Sequence, residues 1–423
     1  MELPRRFLDE IRKRVNLVQV IQRRTKLTKK GQEWIGLCPF HNEKHPSFLV
    51  NEKKGFFHCF GCGAHGDVIG FVMQADGLTF TGAVRILAAQ AGLETDRKAL
   101  ARDSDDMVLH KVIEAATAFF QSQLEGSSGV SARAYLDRLG INRLSIERFR
   151  LGYAPAQGNL LRKHLSQDFP EALLVEAGLI KRADCGDLIS DYFCDRIMFP
   201  LSDQDGRPIA FCGGAIGDVQ PKHLSSPDTP IFRKESVPYG LLQAHEGMYH
   251  GAVPIAAGTC IDVISLHQAG FRGAVAPLSA ALTEDQFIEI LKLGREPVLC
   301  FNGDAAGQSA AIQAIKTALP LLEERNTLHI AILPMGDSPD TLITRHGPES
   351  IQQLLRQARP VIEYIWTVER GEEPVQSFEQ STDLKQRLML WVQRIGNETL
   401  RRAYQSAFNL LMYEGLPRKR RFP

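Results

Sequence analysis

The chain has 423 residues, 44% of them hydrophobic and 23% charged, which is the composition of a globular protein with room for two to four domains. It has no run of about 18 to 20 apolar residues, and its N-terminus lacks the apolar core of a signal peptide, so we expect no membrane span and a cytoplasmic location. The formal net charge is only +1, but residues 1–60 carry 13 Lys+Arg against 6 Asp+Glu. This local excess indicates either a polyanion partner or a solvated basic face.

The first compact segment, residues 1–95, contains metal-ligating residues at a regular spacing. They form two pairs with two residues between the members of each pair: Cys38 and His41, then Cys59 and Cys62. Zinc prefers four sulfur or nitrogen ligands in a tetrahedron, and two ligands three apart on a turn can hold one edge of it. The spacing therefore predicts a closed structural zinc site. The nearby His58 and His65 remain alternatives to His41.

Aromatic and basic residues alternate around these pairs. The aromatic residues are Trp34, Phe48, Phe56, Phe57 and Phe60. The basic residues are Lys29, Lys30, Lys44, Lys53 and Lys54. Rings that stack on bases, set among cations that follow phosphates, predict a surface for single-stranded nucleic acid. Some of the rings must instead form the core of so small a module.

The middle of the chain changes composition twice. Residues 96–109 are polar and charged and indicate a linker or an exposed helix. Residues 110–251 mix helical patterns with short strand-like runs such as "DRIMFPLSD", which indicates a mixed α/β subdomain. The glycine-rich "CGGAIGD" in this part is more typical of a turn than of a phosphate-binding loop.

Residues 252–345 alternate buried strands with amphipathic helices. This order predicts right-handed crossovers and a parallel sheet. Thr283 and Gln286 have capping-box spacing at the start of the second helix. Residues 346–423 have helical periodicity throughout, which predicts a helical subdomain.

Several long motifs occur in the same order as in one known family: "GLCPFHNEKHPSF", "FHCFGCGAHGDVIGFV", "FRLGYAP", "DRIMFPLSDQDGRPIAFCGG", "PKHLSSPDTPIFRKESVPYGL" and "CFNGDAAGQSAA". Over essentially its whole length the chain resembles bacterial DnaG-type DNA primases. The resemblance implies a multidomain α/β fold with a zinc-ribbon-like N-terminal module, a mixed α/β subdomain, a TOPRIM domain and a C-terminal helical subdomain. It also implies a DNA-directed RNA polymerase that binds single-stranded DNA and joins ribonucleotides into short primers.

The family supplies five carboxylates around its divalent metal, and this chain departs from that pattern. By resemblance, three positions are replaced: Gly258, Asn302 and Ser338. Two are retained: Asp304 and Asp340. Asp262 is a further shared aspartate, and Asp337 lies beside a replaced position, where its side chain is expected to point elsewhere. Because each replacement removes a negative charge facing a cation, we expect weak Mg²⁺ or Mn²⁺ binding and strongly impaired primer synthesis.

The family also has basic residues at three positions that are uncharged here: Tyr192, Cys194 and Gly214. The retained candidates for phosphate binding are Arg148, Lys222, Arg233 and Lys234. For each of them the alternative is a solvated surface cation.

Two functions follow from the resemblance and the replacements. The first is a primase of DNA replication with impaired catalysis, using structural zinc, Mg²⁺ or Mn²⁺, single-stranded DNA and ribonucleotides. The alternative is a catalytically inactive, primase-like protein that binds nucleic acid or regulates. Family members usually continue into a domain that contacts the replicative helicase. The resemblance leads us to expect that this chain lacks that domain, and therefore to expect no helicase contact through it.

Overall fold

The computed structural model describes residues 5–31, 33–43, 45–76, 80–92, 97–182, 189–217, 220–278, 281–371, 375 and 377–415. The chain divides into two compact units, Met1–Val108 and Leu109–Pro423. Within the described ranges no helix is long and apolar enough to cross a membrane. The multidomain α/β architecture predicted from the sequence is confirmed.

The first unit is built on a five-stranded antiparallel sheet in the order β1-β2-β3-β4-β5. Its strands are β1 (Leu27–Lys30), β2 (Glu33–Gly36), β3 (Phe48–Asn51), β4 (Phe56–Cys59) and β5 (His65–Gly66). Its helices are α1 (Arg5–Arg14), α2 (Leu17–Gln22), α3 (Val68–Asp76) and α4 (Phe80–Gln90). Because side chains alternate across a strand, Phe48, Val50 and Phe57 point together into a core that helix residues complete.

The boundary between the units falls close to the middle of α5 (Arg97–Glu125). The backbone of residues 97–109 is therefore helical, as one of the two sequence alternatives had it. The part of α5 in the second unit contributes Phe120 to a core that also contains Phe193 and Phe211. The Phe120 and Phe211 rings meet edge to face, with centroids 5.3 Å apart.

The second unit begins with a mixed α/β region. Its helices are α6 (Val130–Arg138), α7 (Arg143–Arg148), α8 (Leu160–Leu165), α9 (Glu171–Glu176) and α10 (Leu241–Met248). Its strands are β6 (Gly152–Ala154), β7 (Ile180–Arg182), β8 (Ile189–Asp191), β9 (Arg196–Ser202), β10 (Pro208–Ala215) and β11 (His223–Ser225). An antiparallel sheet runs in the order β11-β10-β9-β6, and β7 pairs with β8. The turn predicted at "CGGAIGD" is wrong for residues 212–215, which pair with β9 inside β10.

A five-stranded sheet in the order β13-β12-β14-β15-β16 forms the next layer. Its strands are β12 (Ile255–Ala256), β13 (Ala274–Val275), β14 (Val298–Phe301), β15 (His329–Ile332) and β16 (Arg359–Pro360). The first four are parallel, as predicted, and β16 is antiparallel. The helices after the strands are α11 (Cys260–Gln268), α12 (Glu284–Leu293), α13 (Ala305–Ala318) and α14 (Pro339–His346). The predicted capping box of Thr283 and Gln286 is present at the start of α12.

The last part is helical, as its periodicity predicts. It consists of α15 (Pro348–Arg356), α16 (Val361–Arg370), α17 (Phe378–Arg394) and α18 (Glu398–Gly415). Leu388 and Trp391 of α17 and Phe408 of α18 join the same core as α12 and α13. The last three of these helices therefore cover one face of the parallel sheet.

Candidate functional site

The four predicted metal ligands of the first unit lie together. The ligand atoms of Cys38, His41, Cys59 and Cys62 are all within 4.8 Å of one another. The sulfurs of Cys38 and Cys62 are 3.8 Å apart, and the sulfur of Cys59 is 3.8 Å from His41 Nδ1. Zinc–sulfur bonds of about 2.3 Å make a tetrahedron with edges of about 3.8 Å, so the cluster fits zinc as a structural cofactor.

Neighbouring groups hold the ligands in place. The backbone N–H of Gly61 donates to Cys59 Sγ at 3.3 Å, and a Cβ at Gly61 would lie only 2.6 Å from His41 Nε2. That Nε2 atom is 3.3 Å from Glu43 Oε2, and Glu43 also accepts from the backbone N–H of Ser47. A carboxylate on the far nitrogen of a ligating histidine fixes its ring, so Glu43 orients His41.

The thiol of Cys59 is prepared for deprotonation. Burial opposes ionisation, but hydrogen bonds from Ser47 and from the backbone N–H groups of Cys62 and Gly61 outweigh it and lower the pKa of Cys59. The thiolate is the form of cysteine that binds zinc.

The two competing histidines lie outside the cluster. The His58 ring packs against Phe60 with centroids 4.6 Å apart, and His65 Nδ1 donates to the carbonyl of Gly63 at 2.9 Å. In the described part of the first unit, neither belongs to the group of residues that could hold a metal.

The strand register distributes the aromatic residues of the first unit between two faces of its sheet. Trp34 lies opposite Val50, and Val50 opposite Phe57, so these three share the face that packs on the core. Phe56 lies on the other face and is 38% exposed, whereas Phe60, in the turn between Cys59 and Cys62, is 73% exposed. Only Phe56 and Phe60 among the five predicted rings therefore present large exposed surfaces.

The three positions at which the resemblance led us to expect carboxylates lie at one edge of the parallel sheet. Gly258, Asn302 and Ser338 follow the carboxyl ends of β12, β14 and β15, which lie side by side. The loops after β14 and β15 touch, since a Cβ on Gly303 would lie 2.3 Å from the carbonyl oxygen of Leu333. A Cβ on Gly258 would lie 3.5 Å from Asp262 Oδ2, an ordinary contact, so packing does not require glycine at 258.

Asp262 is buried at this edge with its hydrogen bonds made. It is 3% exposed, and its Oδ2 accepts from the backbone N–H and the hydroxyl of Thr259 at 2.9 and 2.8 Å, which completes a capping box at the start of α11. Its Oδ1 accepts from the backbone N–H of Asp340 at 3.4 Å. Burial, followed by repulsion from the Asp340 carboxylate, raises the pKa of Asp262.

The other carboxylates also serve helix ends or ion pairs. Asp304 is the N-cap of α13, with Oδ1 accepting from the backbone N–H of Gly307 at 2.7 Å. Asp340 Oδ1 accepts from the hydroxyl of Ser338, the N-cap of α14. Asp337 pairs with Arg345 at 2.7 Å, so its carboxylate is directed to that partner.

The phosphate-binding candidates have different surroundings. Arg148 forms an ion pair with Glu246 at 3.0 Å. Arg233 is exposed and makes no ion pair within the described ranges. Lys222 and Lys234 line two clefts, of about 160 and 490 Å³.

The two clefts share His223, and each contains one position at which the resemblance led us to expect a basic residue. Gly214 lines the cleft of Lys222, and Tyr192 lines the cleft of Lys234. Sequence reasoning missed Arg196, which is 3% exposed and donates to the carbonyl of Pro221 at 2.7 Å. The only signal for it is its place in "DRIMFP", and it positions the segment that carries Lys222.

Three family models match the chain in succession. The CHC2 zinc finger matches residues 3–103, the N-terminal domain of the DNA primase catalytic core matches residues 119–245, and the Toprim domain matches residues 256–331. The first match contains the zinc cluster, and the third contains β14, α11, α12 and α13.

The chain is also similar to curated proteins and solved structures. It is 38% identical to the DNA primase of Haemophilus influenzae, over 86% of this chain and 62% of that protein. It is 34% identical to the DNA primase of Escherichia coli K12, over 94% of this chain and 70% of that protein. The zinc-binding and RNA polymerase domains of the Aquifex aeolicus primase match with a TM-score of 0.61 and 28% identity over 96% of each chain.

A DnaG primase catalytic domain bound to single-stranded DNA matches with a TM-score of 0.67 and 28% identity, over 74% of this chain and 98% of that one. The chain thus spans between 62% and 70% of the length of the two curated primases above. Motif order, architecture and identity over most of the sequence agree, and the chain belongs to the DnaG-type DNA primase family.

Proposed function

We propose that the protein binds single-stranded DNA as a member of the primase family and that its synthesis of RNA primers from ribonucleotides is strongly impaired. The observation that carries the impairment is the state of the remaining acids at the sheet edge. Asp262 is buried in a capping box, Asp304 caps α13, and Asp340 accepts from the Ser338 hydroxyl. Each of these three carboxylates already accepts a hydrogen bond from a group within the chain.

Electrostatics supports the same conclusion. Two unit charges about 4 Å apart attract by about 4 kcal/mol at an effective dielectric constant of about 20. A divalent cation at this edge lacks that attraction at each of the three replaced positions, Gly258, Asn302 and Ser338. If Mg²⁺ or Mn²⁺ binds, Asp304 and Asp340 would hold it, and the metal would supply charge neutralisation at the transferred phosphate.

DNA binding is supported by the exposed face of the first unit. Phe60 offers an exposed ring beside the His58 ring, and Lys53 and Lys54 are exposed in the turn that leads into β4. Stacking on an exposed ring is worth about 1 to 3 kcal/mol per base and does not need a particular sequence. This surface does not depend on the carboxylates of the second unit.

The second candidate is a primase-like protein without any catalysis that regulates or competes at single strands. The same engaged carboxylates favour it. The two candidates differ only in residual primer synthesis, so one experiment separates them. A cytoplasmic location belongs to both proposals.

The test is ribonucleotide incorporation on single-stranded DNA with Mg²⁺ or Mn²⁺, run beside a Gly258→Glu, Asn302→Asp, Ser338→Asp variant. Fluorescence anisotropy with a labelled single strand measures binding by the same preparations. We expect binding by both proteins, trace synthesis by the unmodified protein and higher synthesis by the variant. Robust synthesis by the unmodified protein contradicts the impairment, and absence of strand binding contradicts the DNA-binding role.

A further inference from the structure

We propose that Asn302 is a site of spontaneous deamidation, so that the protein acquires a carboxylate at the end of β14 after it has folded. The chain has a single Asn-Gly dipeptide, and it is Asn302–Gly303. A glycine after asparagine leaves the following backbone nitrogen open to the asparagine side chain, because no Cβ stands in the way. This inference does not depend on whether the protein makes primers.

The surroundings of Asn302 leave its side chain free to react. Asn302 is exposed, and its amide makes no hydrogen bond to any residue that the structure describes. Other asparagines are held by their caps: the Oδ1 atoms of Asn16, Asn142 and Asn397 accept from the backbone N–H of Gln19, Ser145 and Leu400 at 3.1, 2.9 and 2.9 Å. A side chain held in a cap must break that bond before it can turn toward its own backbone.

The fold itself fixes the reactive neighbour. A Cβ on residue 303 would lie 2.3 Å from the carbonyl oxygen of Leu333 and 3.1 Å from the nitrogen of Met335. Contacts that close are not tolerated, so glycine is required where the loops after β14 and β15 meet. The residue that packing demands at 303 is therefore the one that makes Asn302 reactive.

The reaction needs only water as a co-reactant. The backbone nitrogen of Gly303 attacks the side-chain carbonyl carbon of Asn302, a carbon–nitrogen bond closes a five-membered imide, and the amide nitrogen leaves as ammonia. Water then opens the imide at either carbonyl and gives aspartate or isoaspartate. The balance is one water consumed and one ammonia released, with a mass increase of about 1 Da and one added negative charge.

The added charge lies two residues before Asp304, at the edge where the retained carboxylates gather. The formal net charge of the chain falls from +1 to 0, because a neutral amide becomes a carboxylate. Deamidated protein should therefore separate from fresh protein by anion exchange. The aspartate product differs from Asn302 only in that charge, whereas isoaspartate also lengthens the backbone beside the Leu333 contact.

The test is peptide mapping by mass spectrometry of the folded full chain during incubation at mildly alkaline pH. We expect the peptide containing Asn302 to gain about 1 Da and to do so at least about tenfold faster than peptides containing Asn142 or Asn397, a difference of about 1.4 kcal/mol in barrier. The Asn302→Gln variant should lose the acidic anion-exchange species, because glutamine forms a six-membered ring less readily.

A urea-denatured sample provides the reference for the same dipeptide without the fold. Conversion at Asn302 in the folded protein no faster than at the capping asparagines overturns the proposal, as does conversion in the denatured sample alone. An acidic species that persists in Asn302→Gln at the rate of the unmodified protein also overturns it.

Discussion

The zinc cluster of the first unit and the carboxylate edge of the second are both places where the sequence puts metal-ligating residues, yet their side chains are arranged in opposite ways. Around zinc, neighbours serve the ligands: Gly61 donates to Cys59, and Glu43 holds the far nitrogen of His41. At the sheet edge the acids instead stabilise helix ends, since Asp262 and Asp304 accept hydrogen bonds at the starts of α11 and α13. The zinc ligands are thus oriented by their neighbours toward one common position, whereas the acids at the sheet edge accept hydrogen bonds at helix ends.

Removing a zinc ligand should produce the largest effect of the substitutions that test this contrast. Cys59→Ser should abolish stoichiometric zinc and unfold the first unit, because structural zinc contributes about 10 to 16 kcal/mol of binding free energy. Zinc content by mass spectrometry and amide exchange of the first unit report the two effects. The matched control is His65→Ala. His65 is close to Cys62 in the sequence but is not a member of the cluster. Full zinc in Cys59→Ser would disprove the ligand set.

The exposed ring of the first unit should matter for DNA and not for folding. Phe60→Ala should weaken single-strand binding by about 1 to 3 kcal/mol, or about fivefold or more, because a stacking ring is lost. Thermal unfolding should be unchanged, since Phe60 is 73% exposed. The matched control is Phe378→Ala, an equally exposed phenylalanine (78%) in the other unit. Equal loss of affinity for single-stranded DNA in the two variants would contradict a specific stacking role for Phe60.

A buried histidine makes the second unit sensitive to acid. Burial lowers the pKa of His267 to about 4, and its Nε2 donates to the carbonyl of Ala274 at 2.9 Å. The unfolded chain binds the proton near its ordinary pKa of about 6.5, so the unfolded state gains protons first and the free energy of unfolding falls as pH drops. Between about pH 7 and pH 5 this loss is about 2 kcal/mol.

Urea unfolding of His267→Gln at the two pH values checks that prediction. The substitution removes the titrating group, so the variant should lose less stability on acidification, although it is less stable at neutral pH. A pH dependence as steep as that of the unmodified protein would assign the acid sensitivity to other groups.

The smallest expected effect comes from removing the helix cap that Asp304 provides to α13. Asp304→Ala should lower the free energy of unfolding by about 1 kcal/mol, because the backbone N–H of Gly307 loses its acceptor. Asp304→Asn keeps an acceptor without the charge and should stay close to the unmodified protein. Equal destabilisation by both substitutions, measured by urea unfolding, would show that the charge rather than the cap is what the fold uses.

Several features of both units could be predicted from the sequence because they depend on the spacing of residues along the chain. The two pairs of zinc ligands, the strand and helix alternation after residue 252 and the Thr283–Gln286 capping box all involve residues close along the chain. Spacing along the chain is enough to reveal such patterns. Their presence in the structure is therefore no surprise.

What depends on distant partners could not be predicted. Phe56 and Phe57 are neighbours, and only the pairing of β4 with β3 decides that Phe57 is buried and Phe56 is not. The raised pKa of Asp262 arises from burial and from Asp340, 78 residues away. The prediction of a turn at residues 212–215 failed because glycines in a strand and in a turn look alike without the partner strand β9.

The most direct measurement is calorimetric titration of the zinc-loaded protein with Mn²⁺, after mass spectrometry has established that Asn302 is still an amide. For the unmodified protein we expect weak binding. The Gly258→Glu, Asn302→Asp, Ser338→Asp variant should bind at least about tenfold more tightly, or about 1.4 kcal/mol, because carboxylates return to the sheet edge. Equally tight binding by the two proteins would contradict the claim that the engaged carboxylates no longer form a divalent metal site.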